Sequence, residues 1–358
     1  MRVLIANAGS SSLKLSLLDI DDTELWRHEL DVPRSVVEPG PVAAALSELP
    51  TPPQAVGHRI VHGGERFRCA VRLDRKVLSA LRELTALAPL HQPKSLAAVE
   101  AVSRALPGVP EVACFDTAFH ATLPPAAATY ALPRVWRERY GVQRFGFHGL
   151  SHAYASGRAR EIAPAARRVV TCHLGAGASL CAVLDGRSID TTMGFTPLEG
   201  LAMATRSGSV DPGLLLWLQE QADLTPGEMA DALEHESGLV GLAGTPDMRE
   251  LLDRDDPDAR LALDVYVHRL RAAIGAMTAA LGGLDALVFT GGVGERSPRV
   301  RELACEGLAH LGVAIDSSRN EVVGGDVDVA ASGSAVAVLV VRAREDVEIA
   351  RQARAVLM

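Results

Sequence analysis

The chain has 358 residues, 48% hydrophobic and 22% charged, with a formal net charge of −8. That length accommodates two domains with sizeable cores, and the acidic balance gives a nucleic-acid role no electrostatic support. No apolar run reaches membrane-span length, the N-terminus has no leader-like pattern, and the five scattered cysteines (Cys69, Cys114, Cys172, Cys181, Cys305) form no CxxC pair; together these features predict a cytoplasmic protein whose reduced thiols pack as small core residues.

The elements follow in chain order. "RVLIANAGSSSLKLSLLD" reads as strand, turn, strand, with apolar residues at 3 to 6 and again at 13, 15, 17 and 18. Its turn, "NAGSSSLK", offers backbone N–H groups, three hydroxyls and Lys14, which is either a phosphate cradle or an ordinary Ser-Gly turn. Lys occurs only at 14, 76 and 94, so a Lys in this turn stands out. Residues 20 to 55 are Pro-rich and poor in motifs and predict a peripheral segment. "GHRIVHGGERF" carries His58, Arg59 and His62, and "APLHQP" carries His91. In "GVPEVACFDTAFH" an apolar strand ends in Asp116, at the carboxyl end where α/β folds bind ligands. "FGFHGLSH" sets His148 and His152 four apart at a helix start, without the glutamate or cysteines of a zinc site.

"RVVTCHLGAGASLCAVLDG" repeats the grammar of the N-terminus. Laying Val3 on Val169 carries the match to Asp19 on Asp185 without a gap, with Asn7 on His173 and Gly9 on Gly175. Two structurally similar domains, each opening with a glycine-bearing hairpin, are expected. "ATRSGSVDPG" holds Arg206 among small residues, and "DRDDPDAR" at 253–260 reads as a solvated loop. Leu263, Val267, Leu270, Ile274, Met277 and Leu281 predict a helix over 262–281, stopped by Gly282 and Gly283. "LDALVFTGGVGERSP" then reads as a buried strand and a glycine-rich turn.

Any one of these histidines or arginines, taken alone, reads as a hydrogen-bonded structural residue. There is no GxSxG elbow, no GxxxxGK[ST] loop and no HRD…DFG set. Together the list has a theme: two donor-rich turns, Arg59 and Arg206 in settings open to an anion, and Asp116 able to hold Mg²⁺. Charge neutralisation and alignment are what phosphoryl transfer asks of a protein.

"NAGSSSLK", "GHRIVHGG", "LAPLHQP", "FDTAFHATLP", "RFGFHGLSH", "HLGAGAS", "TPLEGLAMATRSGSVDPG" and "FTGGVGERSP" are, in this order, similar to the motifs of the acetate/propionate kinase family. The resemblance runs from residue 3 to about residue 350. It implies an α/β protein of the acetate and sugar kinase/Hsp70/actin superfamily: two duplicated ribonuclease H-like (actin-like ATPase) domains with a central nucleotide cleft. The first would cover 1–120 plus the C-terminal helix 346–358, and the second, 121–345, would carry the nucleotide. The implied reaction is reversible transfer of the ATP γ-phosphoryl to acetate by direct in-line attack, giving acetyl phosphate and ADP with Mg²⁺ (or Mn²⁺), in a homodimer.

By the same resemblance Asn7, Ser10, Ser12 and Lys14 form the first phosphate turn. Arg59 and Arg206 flank carboxylate and phosphoryl, His148 contacts the equatorial oxygens, and His91 and His173 line the cleft. Asp116 and Glu345, with Asn7, organise the metal. Gly175 and Gly177 form the second phosphate turn, while Asp247, Arg249, Gly292, Gly294 and Glu295 hold the adenosine. Val61, Leu90, Phe147 and Pro197 wall the acyl group. The chain departs from the family at Ala176 (usually Asn), Arg296 (usually Asn), Ala204 and Ser209, and before Gly57 it is shorter. These departures bear on nucleotide preference and rate. They motivate the alternatives of a propionate- or butyrate-preferring kinase, a donor other than ATP, or a catalytically weak nucleotide-binding sensor.

Overall fold

The structure, a computed structural model, describes residues 1–9, 12–32, 37–89, 91–322 and 324–358; Ser10 and Leu90, both expected at the site, lie outside the described residues. The chain divides into two compact units. Unit one comprises Met1–Ala121, Phe147–Tyr154 and Arg344–Met358, and unit two comprises Thr122–Gly146 and Ala155–Ala343. Relative to the boundaries expected from sequence, unit one takes in Ala121 and Phe147–Tyr154 together with Arg344 and Glu345.

Unit one is built on β1 (Val3–Ala8), β2 (Ser12–Leu18), β3 (Glu24–Asp31), β4 (Ala55–Ile60), β5 (Val71–Arg72) and β6 (Glu111–Phe115). Their order is β3-β2-β1-β4-β6-β5. β1, β2 and β3 form an antiparallel meander, β4 and β6 run parallel to β1, and β5 closes the edge antiparallel. Side chains alternate between faces. Leu4, Ala6, Leu13, Leu15, Leu17 and Val56 point to one face, where Val42, Ala45 and Leu46 of the helix Pro39–Ser47 and Ala98 and Val102 of the helix Gln92–Ala105 cover them. Residues 20 to 55 are therefore not peripheral. They supply β3 and a core helix, whose prolines sit in the first turn, where a missing N–H costs nothing.

The opposite face carries the C-terminal helix Glu345–Leu357. Gly57 lies so close to Ile349 that a Cβ there would collide with its side chain. Ile5 pairs with Gly57 and Arg59 with Cys114, whose Sγ lies 3.8 Å from the Ile349 carbonyl. The two-residue period therefore sends Asn7, Arg59 and Asp116 to this same face, at the carboxyl ends of three adjacent parallel strands.

Unit two contains β7 (Arg168–Leu174), β8 (Ala178–Leu184), β9 (Arg187–Thr191), β10 (Ala286–Thr290), β11 (Val327–Asp328) and β12 (Ala337–Val340), ordered β11-β12-β10-β7-β8-β9. Read from β9, this is the first sheet strand for strand, including a short antiparallel edge strand inserted before the last parallel one. The duplication expected from the hairpins holds for the whole sheet. The ungapped match does not. Ala8 pairs with Leu13, whereas Leu174 pairs with Ala178, so the second turn is one residue shorter and Val183, not Leu184, stands where Leu18 does. Turn length sets antiparallel register, and the apolar residues on both strands of each hairpin tolerate either setting.

Two further expectations change. The helix expected over 262–281 runs Pro257–Leu281, and Asp256 caps it by accepting from Asp258 N and Ala259 N at 3.1 and 3.0 Å. Much of "DRDDPDAR" is thus a helix start rather than a loop, an Asp-Pro signature that a reading for charge passes over. The glycine-rich turn after β10 is a short helix, Gly291–Arg296. Among the described residues, no helix is long and apolar enough to cross a membrane.

Candidate active site

In unit one, four polar side chains form a chain of contacts. Arg59 Nε donates to both oxygens of Asp116 at 3.1 Å, and its Nη2 donates to Oδ2 at 2.6 Å. Nη1 donates to Asn7 Oδ1 at 3.2 Å, and Asn7 Nδ2 donates to Glu345 Oε2 at 2.8 Å. Strand alternation delivers Asn7, Arg59 and Asp116, and the first turn of the C-terminal helix delivers Glu345. The carboxylate of Asp116 is 1% exposed. Burial pushes its pKa up, Arg59 pulls it back, and the charge of Glu345 pushes up again. Burial works against the Arg59 cation as well, but the charges of Asp116 and Glu345 outweigh it and raise its pKa. A guanidinium between two carboxylates and an amide is a preformed cluster of strong donors and hard oxygen acceptors.

His148 stands immediately before the helix Gly149–Ile162, at φ +54°, in the left-handed region that a non-glycine residue seldom occupies. Gly149 donates its N–H to the Asp116 carbonyl at 2.9 Å and packs against it so tightly that a Cβ would collide. His148 and Asp116 are thus tied through the main chain. Of the residues expected around the acyl group, Val61 follows β4 and is buried in this unit, and Phe147 is buried with its ring edge-on to His62 at 5.5 Å. His91 occupies the N-cap position of Gln92–Ala105.

The first turn is arranged differently from the expectation. Ser12 opens β2 and donates its hydroxyl to Glu29 Oε1 at 2.7 Å; Lys14, whose partner across the strand pair is Asn7, is 61% exposed with its ammonium 3.8 Å from Glu29. Glu29, on β3, thus engages two of the four residues expected at the first phosphate turn.

In unit two, His173 lies on β7 opposite Thr290 and Ser179. The turn after it is closed by Gly175 N donating to Gly177 O at 3.0 Å, and Ala176 O accepts from Ala204 N at 3.1 Å. A Cβ on Gly175 would approach His173 Nε2 and Gly292 N at 3.8 and 4.0 Å, so the turn, His173 and the Gly291–Arg296 helix converge. Gly291 adopts φ +79° with no room for a Cβ beside the Leu174 carbonyl. Glu295, expected at adenosine, spends Oε1 on the N–H groups of Gly291 and Ala343 at 3.1 and 2.9 Å, tying the ends of β10 and β12. Gly292 is exposed and Gly294 is buried.

Arg206 is largely buried. Its Nη1 donates to the Pro197 carbonyl at 2.9 Å, and among the described residues no carboxylate lies within ion-pair reach. Burial lowers its pKa, and Glu234 offsets this only in part. A desolvated cation whose charge is only partly offset gains from a nearby anion. The segment presenting Pro197 is braced by Glu199, which takes the Tyr130 hydroxyl and Arg144 Nη2, while Arg144 Nη1 donates to the carbonyls of Thr191, Thr192 and Met193. Asp247 caps the helix Met248–Asp253 and pairs with exposed Arg249, whose hydrogen bonds hold the Asp247 pKa down at about 2.

Sequence reasoning passed over two residues that touch the expected site: Glu29, and His120, whose Nε2 lies 3.0 Å from the Phe147 carbonyl. Glu29 gave no signal, because its role exists only across the β2/β3 register. His120 stood in "FDTAFH", four residues after Asp116, and that spacing was the available clue.

Residues 43–351 match the Acetokinase family. The acetate kinase of Gloeobacter violaceus is 45% identical over 399 aligned positions, covering 98% of each chain, and that of Trichormus variabilis is 44% identical at the same coverage. Among solved structures, the acetate kinase of Porphyromonas gingivalis superposes with a TM-score of 0.91 at 37% identity over the whole of both chains. A propionate kinase from Francisella tularensis gives 0.90 at 32% identity over 99% of both. With strand ends, duplicated sheets and near full-length similarity all in agreement, the chain belongs to the acetate kinase (Acetokinase) family.

Proposed function

We propose that this protein is an acetate kinase that moves the γ-phosphoryl of ATP onto the carboxylate of acetate by reversible direct in-line transfer, giving acetyl phosphate and ADP. The observation that carries the reading is the Glu345–Asn7–Arg59–Asp116 network at the strand ends of unit one. Arg59 and Arg206 neutralise the carboxylate and the phosphoryl group, as a reaction between two anions requires. His148 adds a donor to the equatorial oxygens. In unit two, His173, Gly175 and Gly177 line the phosphates of ATP. Asp247, Arg249, Gly292, Gly294 and Glu295 hold the adenosine, Glu295 by shaping the helix at 291–296 rather than by direct contact.

The donor set fits a hard divalent cation: two carboxylates and an amide oxygen, all oxygen ligands, with no sulfur or imidazole in the network. Asp116 and Glu345, with Asn7 beside them, would hold Mg²⁺ or Mn²⁺, which when bound supplies charge neutralisation at the phosphate oxygens. Ser12 and Lys14 reach phosphate once Glu29 yields them.

The superposition on a propionate kinase is nearly as close as on an acetate kinase, so the fold is shared by kinases named for either acid. We also propose a cytoplasmic homodimer. The helix Pro212–Gln221 leaves Leu214, Leu216 and Trp217 at 45%, 62% and 57% exposure, and a second copy is the occupant that would cover them.

The test is acyl phosphate formation from ATP, acetate and Mg²⁺, trapped as the hydroxamate. Turnover that needs all three supports the reading. ATP binding without hydroxamate would overturn it in favour of a nucleotide sensor.

A further inference from the structure

We infer that His120 is a positioning residue that holds His148 in its left-handed backbone conformation and so fixes the imidazole relative to Asp116. The inference rests on the reading of His148 as a group that contacts the phosphoryl. His120 is 2% exposed and sits in the short 3₁₀ turn Ala118–Thr122 that follows Asp116. Its Nε2 lies 3.0 Å from the Phe147 carbonyl. A carbonyl only accepts, so Nε2 carries the hydrogen and donates. The peptide that enters His148 is thereby pinned from one side.

The peptide that leaves His148 is pinned from the other. Gly149 N donates to the Asp116 carbonyl at 2.9 Å, and His152 N donates to the His148 carbonyl at 2.9 Å. His148 at φ +54° is the residue between the two pins. A non-glycine residue stays in that region only where its surroundings over-determine it, and such positions cluster where geometry matters. The two pins come from one stretch of chain: the Asp116 carbonyl and, four residues on, the His120 ring. The ring is itself oriented by edge-on packing against His152 at 5.7 Å and Phe119 at 5.7 Å. Residues 116–120 thus present the Asp116 carboxylate to Arg59 and, with the same backbone, set the geometry of His148. If His120 lets go, one flanking peptide is free to rotate, and His148 relaxes toward negative φ, displacing its ring. Displacement of a catalytic group by about 1 Å costs on the order of a hundredfold in rate.

A core histidine with no such role would also pack here, so the test must separate geometry from stability. His120→Gln retains an amide donor at nearly the reach of Nε2, whereas His120→Asn is polar but too short. Each is made alone and in a His148→Ala background, and hydroxamate kinetics and melting temperature are measured for all. The expected result is that His120→Asn lowers kcat about 10- to 100-fold with KM for ATP and acetate within about twofold, and that His120→Gln recovers most of it. In the His148→Ala background, His120→Asn should cost nothing further, because it acts through a group already gone. Additive losses, a change confined to KM, or equal behaviour of the Gln and Asn variants would overturn the role of His120 while leaving His148 standing. Wild-type turnover in His148→Ala alone would instead overturn the reading of His148, and the inference with it.

Discussion

Arg59 and Asp116 meet side-on, with Nε shared between both carboxylate oxygens at 3.1 Å and Nη2 on Oδ2 at 2.6 Å, 57 residues apart in the chain. The cation assigned to substrate thus holds the acid assigned to metal. Substrate and metal must compete with this pair or exploit it, and Asp116 makes no other side-chain hydrogen bond among the described residues. Asp116→Asn keeps the shape and removes the charge. Turnover should fall at least a hundredfold and half-saturating Mg²⁺ should rise, because a carboxylate facing a buried guanidinium is replaced by a neutral acceptor. An Mg²⁺ titration of the residual activity checks this. Unchanged metal dependence would make Asp116 a purely structural partner of Arg59.

Arg206 is the opposite case, a largely buried guanidinium whose one oxygen partner among the described residues is a carbonyl, that of Pro197. Burial already lowers its pKa. Removing it should therefore leave the fold intact or slightly more stable, while the reaction loses a charge-neutralising donor. Arg206→Ala is expected to lower kcat about a hundred- to a thousandfold, which is roughly 3 to 4 kcal/mol, with an unchanged or raised melting temperature. A large fall in melting temperature with near-normal turnover would remove Arg206 from the site.

His62 gives a pH signature independent of catalysis. It is fully buried, Gly64 N donates to its Nδ1 at 2.9 Å, and burial lowers its pKa from 6.5 to about 4. The accepting Nδ1 leaves Nε2 to carry the proton, so a second proton would have to break the Gly64 bond. Because the folded pKa is depressed, the unfolded chain binds protons first as pH falls below about 6.5. Stability is then lost between about 6.5 and 4, by up to roughly 3 kcal/mol. Urea midpoints at pH 7.5, 6 and 5 should fall progressively, and His62→Gln should flatten that decline. Equal slopes in both proteins would mean that other groups carry it.

Local signals in the sequence were sound where they rested on strand alternation and turn chemistry. The hairpins at Val3 and Arg168, Asp116 at a strand end and Arg206 in a small-residue loop all stand where they were expected. What the sequence hid was pairing across distance. Nothing local joins Asn7 to Glu345, 338 residues apart, which only the family resemblance places together, and nothing at all assigns Ser12 and Lys14 to Glu29, because both contacts depend on how strands and helices dock. The one-residue slip in the second hairpin was invisible for a related reason: with both strands apolar, composition does not reveal register. The left-handed backbone of His148 was equally out of sight, since a non-glycine residue announces no positive φ.

The last prediction concerns acyl length. Val61 and Phe147, proposed to wall the acyl group, are 5% and 1% exposed in unit one, and Phe147 is further fixed by the His62 ring at 5.5 Å, so neither side chain can yield without disturbing the core. A methylene that fits gains about 0.8 kcal/mol, roughly fourfold in affinity. One that does not fit costs roughly 1 to 3 kcal/mol in overpacking. These terms nearly balance for one carbon, so acetate and propionate should both be used, with kcat/KM within an order of magnitude. A second added carbon meets the same rigid walls, and butyrate should be clearly poorer. Val61→Ala removes two methyl carbons from one wall and should shift preference toward the longer acids, mainly by lowering their KM while kcat for acetate changes little. The measurement is kcat/KM for the three acids in both proteins. If the ranking is the same in Val61→Ala, Val61 does not face the alkyl end, and the wall must be sought among other residues of the site.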